Sequence, residues 1–188
     1  MFKNCIKLPR SDVPPILDGL TRVINLNVLG VLFNQNLDFH DHVNNVIIKC
    51  SQSLYALKTL MSKGLQGHSL NIVCKSTFLS YLTYGSTSWW GFLTAQDLYR
   101  LQGVVNKAKR WECERKEGLP DLSDVYQADT GLFKSILTNP HHVLHKCLPP
   151  VMDHNYNLRP RQHNRVIPKS NALMSKNFLN RMLAKDSY

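Results

Sequence analysis

The order of apolar and polar residues changes near residue 34. From Val23 to Phe33 the chain is uncharged and partly alternating, with several β-branched side chains, which is typical of a β-strand. Gly30 lies inside this run, where an isolated glycine indicates a bulge or a close backbone approach. Residues 34–36 (Asn-Gln-Asn) then predict a turn. We therefore expect a strand that contains Gly30 and ends in this turn.

The segment from residue 38 onward has the period of an α-helix. Asp38 and Asp41 stand near its start, where a short carboxylate can accept hydrogen bonds from the free amides, and Gly64 is placed to end it. Apolar residues at steps of three and four predict one buried face, made of Val43, Val46, Ile47, Cys50, Leu54, Leu57 and Met61. Lys49, Lys58 and Lys63 fall outside this face, so we expect their charges to remain in water.

The same periodicity predicts further helices. They cover about residues 69–84, a segment that starts at the near capping box Thr94–Asp97, about residues 122–137, and about residues 170–185. Trp89, Trp90 and Phe92 fill the connection after the second helix, where packing in the core is favoured over stacking on nucleic-acid bases. The sequence predicts a mainly α-helical fold with a short β element at its amino end.

Proline positions divide the chain into three parts. Residues 1–20 are expected to be irregular, as the remnant of a longer upstream segment, because three prolines interrupt them. Residues 21–148 would form the folded domain, and residues 149–188 a basic carboxyl-terminal tail with its own helix. We expect truncation after Leu148 to leave the domain folded, unless the terminal helix docks on it.

The charge of the chain favours a polyanionic partner. The net charge is +10 and the pI about 9.5, which favours nucleic acid first and an acidic membrane surface second. Residues 42–111 contain eight Lys and Arg against one Asp, and residues 149–188 contain seven against two acidic residues. A solvated face explains any single lysine, but the one-sided excess on separate elements favours phosphate binding.

Several other classes of protein are disfavoured. The uncharged stretch 76–96 is rich in Ser, Thr and Gly, which makes a poor membrane span, and its apolar residues suit a buried hairpin better. Five cysteines without a Cys-x-x-Cys pair favour reduced thiols, and residues 1–12 lack a signal-peptide core, so we expect an intracellular protein, nuclear or cytoplasmic. The spacing of His141, His142, His145 and Cys147 matches no standard zinc site.

An ordered series of short motifs resembles the end of a reverse transcriptase of the non-LTR (LINE-type, jockey-like) retrotransposon family. The resemblance extends from about residue 13 to the end of the chain. Its motifs are Val28-Leu29-Gly30-Val31, Leu37-x-Phe39-x-x-His42-Val43, Leu54-Tyr55-Ala56-Leu57, Tyr84-Gly85-Ser86 with Trp89-Trp90, Leu101-Gln102 with Asn106-Lys107-Ala108, Leu132-Phe133-Lys134, Leu148-Pro149-Pro150 and Tyr156 to Arg161.

The resemblance implies a fold and a partner. It implies a primer-grip β-hairpin at the amino end, a helical thumb-like bundle, and an extended basic tail ending in a helix. The partner would be an RNA/DNA primer–template duplex, held beside the palm of a full-length polymerase. The candidate nucleic-acid-binding residues are Gly30, Lys49, Lys58, Lys63, Lys107, Lys109, Arg110, Arg159, Arg161 and Arg165. At Gly30 we expect an ordinary φ angle and free space for the primer, so that Gly30→Val would leave stability unchanged.

The catalytic part of that family is missing from this sequence. The family polymerises with an aromatic-x-Asp-Asp motif that holds Mg²⁺, and no Asp-Asp pair occurs here. We therefore expect no cofactor in this chain and no polymerisation by the chain alone. Two alternatives remain open, an inactive relic of a transposable element and a helical protein-interaction module.

Overall fold

The computed structural model describes residues 18–19, 21, 23–111, 122–152, 163–169 and 171–185. The fold is mainly α-helical with a two-stranded antiparallel sheet on its amino-terminal side, as predicted. In chain order the strands and α-helices are β1 (Asn25–Val28), β2 (Val31–Asn34), α1 (His40–Ser62), α2 (Gly67–Cys74), α3 (Ser80–Thr83), α4 (Ser86–Trp89), α5 (Ala95–Trp111), α6 (Leu122–Thr138) and α7 (Phe178–Ala184). Short 3₁₀ segments lie at Trp90–Phe92, Val143–Cys147 and Met174–Lys176.

The amino-terminal sheet is a tight β-hairpin rather than one strand. Val28 of β1 pairs with Val31 of β2, so only Leu29 and Gly30 connect the strands. Their φ angles are +50° and +85°, as in the type I′ turns that match the twist of a two-residue hairpin. The predicted β-hairpin is therefore confirmed, but the expectation that one strand runs through Gly30 with an ordinary φ angle is wrong, because the glycine is part of the turn.

Helix α1 forms where the periodicity predicts it. Five of the seven residues of its predicted apolar face are buried, and Ile47 and Met61 are partly buried. Phe39, buried and with a φ angle of +50°, precedes the first turn, and the Asp38 carboxylate accepts a hydrogen bond from the His40 amide at 3.2 Å. The chain leaves the helix at Gly64, whose φ angle of +94° suits only glycine well.

The second predicted helix is observed as α2 and α3, joined without a break by a π-helical segment, Lys75–Leu79. Leu70, Cys74, Phe78 and Leu82 bury its inner side against α1. Gly85 ends it with a φ angle of +59°, as expected. Trp89 and Trp90 are then 0% and 3% exposed, so the prediction that they pack in the core is confirmed.

The described residues form two hydrophobic clusters. The larger one joins the hairpin, α1, α2, α3, the two tryptophans and α5, and it also includes Leu122 at the start of α6. The smaller one consists of Phe133 and Ile136 of α6 with Phe178, Met182 and Leu183 of α7. The terminal helix, shorter than predicted, therefore packs on α6, while the domain boundary at residue 149 stays a prediction.

None of the helices in the described ranges combines the length and the apolar character needed to span a bilayer.

Candidate functional site

The surface of residues 42–111 is basic and presents no carboxylate to solvent. Asp97 is the one acidic residue in this stretch, and it is 0% exposed. Its carboxylate lies 2.9 Å from His40 Nδ1 and 3.6 Å from the Arg100 guanidinium. Lys49, Lys58 and Lys63 of the same stretch have no acidic neighbour in sequence and are exposed. Within residues 42–111 the eight Lys and Arg therefore face a single carboxylate, which is buried.

The buried side chain of Asp97 stays ionised because of its hydrogen-bond partners. Burial raises the pKa of this carboxyl, but hydrogen bonds from the Thr94 hydroxyl and from His40 outweigh burial, so the pKa is below its ordinary value. Thr94 Oγ1 donates to Asp97 Oδ2 at 2.6 Å and accepts from the Asp97 amide at 3.1 Å, which is a variant of the predicted capping box. The carboxylate therefore fixes the start of α5 beside α1.

The candidate residues of α1 and α5 fall into two groups. Lys49 and Lys58 are nine residues apart in α1, about half a turn out of phase, so they project on opposite sides of the helix. Lys63 returns to the side of Lys49. Lys107, Lys109 and Arg110 occupy the last turns of α5, which packs on α1. A ligand that contacts all of them would have to span both helices.

Gly30 lies at the edge of a cleft between the hairpin, α1 and α3. This hairpin cleft has a volume of about 570 Å³, and its lining includes Gly30, His42, Asn45, Lys49, Tyr81 and Tyr84. A Cβ atom at Gly30 would meet the Tyr84 ring at 3.4 Å, an ordinary contact distance. The positive φ angle is thus enough to require glycine at this position, while a role of Gly30 in binding nucleic acid stays a prediction.

Two aromatic side chains form one wall of the hairpin cleft. The Tyr84 hydroxyl donates to the Leu29 carbonyl at 2.8 Å and so holds the tip of the hairpin. Tyr81 is 43% exposed, and the Lys49 ammonium lies 5.8 Å from the centre of its ring. A second groove of about 360 Å³ continues along α1 and shares Lys49 and Tyr81 with the first.

His42 combines burial with an unpaired donor. Its Nδ1 accepts a hydrogen bond from the Leu32 amide at 3.3 Å, so the neutral ring carries its proton on Nε2. Nε2 is buried and has no hydrogen-bond partner, and the Trp89 ring lies 5.1 Å away, centre to centre. Burial, together with the charge of Lys49, lowers the pKa of His42, which keeps the ring neutral. The sequence predicted only local hydrogen bonding here.

Of the three candidate arginines in the tail, the structure describes Arg165. Arg159 and Arg161 lie outside the described residues. The guanidinium of Arg165 donates to the Pro149 carbonyl at 2.8 Å, and its backbone pairs with Val151. This arginine therefore holds two parts of the tail together, whatever else it contacts.

Two features could not be predicted from the sequence, because they depend on contacts between distant parts of the chain. One is the unpaired donor of His42 in the hairpin cleft; the other is a buried ion pair between Asp129 and Arg181, 2.5 Å apart. No local pattern marks Asp129 and Arg181 as partners, because they are far apart in sequence. Within the described ranges, no group of three or more His, Cys, Asp or Glu is placed to hold a metal ion.

Comparison of the chain with protein-family models, with curated proteins and with solved structures gave no match. Function must therefore be inferred from the surface described above and from the sequence motifs.

Proposed function

We propose that the chain binds primer–template nucleic acid through the phosphate backbone, without catalysing its synthesis. The observation that carries this proposal is the basic surface of residues 42–111, where eight Lys and Arg are accompanied by one carboxylate, and that carboxylate is buried. The resemblance to the primer grip and thumb of LINE-type reverse transcriptases supports the same partner, an RNA/DNA or DNA duplex.

The types of side chain on this surface favour binding without sequence specificity. Exposed lysines act as mobile point charges that pair with phosphates, which are the same in every sequence. Sequence readout needs side chains that enter a groove and form paired hydrogen bonds with base edges. Lys49 in α1 and Lys63 just after its end lie on about the same side, so they can contact phosphates of one strand, whereas Lys58 projects from the other side of the helix.

Salt dependence gives the direct test. If four to six phosphates are contacted, the logarithm of the affinity should fall with the logarithm of the salt concentration with a slope of about −3 to −5. Fluorescence anisotropy with a labelled RNA/DNA hybrid and with duplex DNA of scrambled sequence measures this slope. Affinity that does not depend on salt, or no binding at low salt, would contradict the proposal.

The isolated chain should not extend a primer, even with template, nucleotides and Mg²⁺ present. Two-metal phosphoryl transfer needs clustered carboxylates, and the sequence has no adjacent acidic pair of the required kind. In a complete polymerase a separate palm would supply them. Incorporation of labelled nucleotide by a pure preparation would overturn this part of the proposal.

A role as a protein-interaction module is the second candidate, because α1 also exposes apolar side chains. Ile48 and Tyr55 are 54% and 74% exposed on its outer side, and Leu29 at the tip of the hairpin is 86% exposed. These residues suit contact with another protein surface, for which a polymerase palm is the partner that the resemblance implies. Substitution of Ile48 and Tyr55 by serine should then leave duplex binding unchanged.

A further inference from the structure

The hairpin cleft has the shape and chemistry of a site for a single nucleotide. Resting on the proposed function, we propose that the cleft takes one unpaired nucleotide of a bound strand, with its phosphate on Lys49 and its base against the tyrosine wall. Its volume, about 570 Å³, lies within the range of about 300–1,000 Å³ for small-ligand sites.

One side of the cleft is a row of polar side chains on α1. Asn45, Lys49 and Gln52 follow one another at steps of four and three residues, so they project from the same side of the helix. Among the described residues that line the cleft, Lys49 is the one with a full charge, and no carboxylate is present. A cation between two amides suits an anionic ligand that also carries hydrogen-bond donors and acceptors, as a nucleotide does.

The opposite side is aromatic and held in place. Tyr84 is fixed by its hydrogen bond to the Leu29 carbonyl, and Tyr81 presents a partly exposed ring above the polar row. Aromatic rings in basic grooves bind unpaired bases by stacking, and a paired base within a duplex cannot use such a surface. The cleft therefore favours an unpaired nucleotide over a duplex segment.

His42 supplies the observation that points to a ligand rather than to an empty surface groove. It is 4% exposed, it belongs to the lining of the cleft, and its Nε2–H donor has no hydrogen-bond partner. Buried polar groups are almost always paired, so an unpaired donor calls for an explanation. Nε2 is covered in this structure, so an acceptor on a base or sugar would satisfy it once the cleft widens around the ring.

Two oligonucleotides of equal charge test the proposal. A 12-mer of thymidine and a 12-mer of abasic deoxyribose-phosphate have the same phosphates, so both should show the same salt slope. Stacking of one base should make the thymidine oligomer bind about tenfold more tightly. A poly-glutamate peptide of similar charge should compete poorly with it.

Four variants assign the preference to the cleft. His42→Asn can keep the acceptor near the Nδ1 position but loses the Nε2–H donor, whereas His42→Gln can keep a donor near Nε2. His42→Asn and Tyr81→Leu should remove most of the tenfold preference, while His42→Gln and Tyr99→Leu should retain it. Tyr99 is 80% exposed on α5 and does not line the cleft. Melting temperatures verify that each variant is folded.

The outcomes separate this inference from the proposed function. Equal affinity for the two oligomers, with a steep salt slope on duplexes, would overturn the nucleotide site and leave the proposed function intact. Absence of binding to oligomers and duplexes alike would overturn both. A thymidine preference that survives both His42→Asn and Tyr81→Leu, or full competition by poly-glutamate, also contradicts the cleft.

Discussion

Helices α5 and α6, which contribute apolar residues to the larger and the smaller hydrophobic cluster, each carry a buried aspartate, and the two carboxylates are paired very differently. Asp97, in α5, has a partner for each oxygen: His40 for Oδ1 and the Thr94 hydroxyl for Oδ2. Asp129, in the part of the fold built on α6, is paired through Oδ2 with Arg181, while its Oδ1 has no hydrogen-bond partner. The first aspartate is thus fully satisfied, and the second is not.

The pKa values of these carboxyls shift in opposite directions. Burial raises the pKa of Asp129, and the nearby Arg181 compensates only in part, so the pKa lies above its ordinary value. The pKa of Asp97 lies below its ordinary value, because its hydrogen bonds outweigh burial. At neutral pH the ionised form of Asp97 therefore stabilises the folded state, whereas ionisation of Asp129 destabilises it.

The two regions also differ in how far they depend on the terminal segment. The larger cluster is closed largely by neighbouring elements between residues 31 and 108. Three of the five buried residues in the smaller cluster come from α7, and so does the partner of Asp129. We infer that α6 is stabilised mainly by α7, which is distant in sequence, whereas the larger cluster is stabilised mainly by contacts among neighbouring elements. The predictions below test these two statements.

Truncation after Leu148 should have the largest effect, confined to α6. It removes Phe178, Met182 and Leu183, whose burial contributes about 1.5–3 kcal/mol each before the cost of ordering the segment. A net loss of about 3 kcal/mol would speed amide exchange in α6 roughly 100-fold, with little change in α1. Hydrogen exchange measures both, and truncation after Lys185 is the control. Unchanged protection of α6 would instead support an independent domain ending at residue 148.

Gly91→Ala should weaken the packing of the terminal segment, through Lys176 and Arg181, against Gly91 in the connection that follows the two tryptophans. A Cβ atom at residue 91 would clash with the Lys176 carbonyl oxygen and with Arg181, so the backbone must move. We expect a loss of about 2 kcal/mol in the free energy of unfolding, measured by denaturant titration. The control, Gly103→Ala in α5, meets nothing within 4 Å and should stabilise by about 0.5–1 kcal/mol. Equal effects of the two changes would exclude a close contact at Gly91.

Gly30→Val should destabilise the first region locally, by about 1–2 kcal/mol. The φ angle of +85° is strained for any residue with a β-carbon and most strongly for a β-branched one. Leu29→Asn, at φ +50°, should act in the opposite direction, because Asn-Gly is the preferred type I′ turn. Thermal melting of both variants measures the effect. Retained stability in Gly30→Val would mean that the hairpin can adopt another turn.

Acid should weaken the first region through Asp97 with the smallest effect of this series. A carboxyl with a lowered folded pKa contributes stability that is present above its unfolded pKa of 3.8 and is lost as the pH falls through the folded value. Asp129, with a raised pKa, contributes most below 3.8 and loses that contribution as the pH rises through its folded value. Asp97→Asn should therefore cost about 1 kcal/mol at pH 7 and flatten the acid limb of stability against pH. Asp129→Asn should still show the loss of stability at acid pH. If Asp129→Asn removes this loss and Asp97→Asn retains it, the pKa shifts of the two carboxyls are assigned the wrong way round.

The sequence predicted the parts of the fold that depend on near neighbours. The buried face of α1 and the Thr94–Asp97 cap were predictable because their partners lie three or four residues away. The β-hairpin was expected from the resemblance, but the position of its turn was missed because Leu29 carries none of the usual turn signals, and pairing across the sheet reveals it. The cleft at His42 and the pair of Asp129 with Arg181 could not be predicted, since they join residues that only the folded chain brings together.

A matched comparison of charge changes tests the central claim, that the surface of residues 42–111 binds the phosphate backbone. One variant carries Lys49→Gln, Lys58→Gln and Lys63→Gln, and the other carries Lys134→Gln, Lys146→Gln and Lys169→Gln at exposed positions outside that surface. Both lose the same net charge. The salt slope of hybrid-duplex binding should become shallower by about 2–3 in the first variant and stay unchanged in the second. Equal changes in both variants would show that binding follows net charge alone and would contradict a defined binding surface.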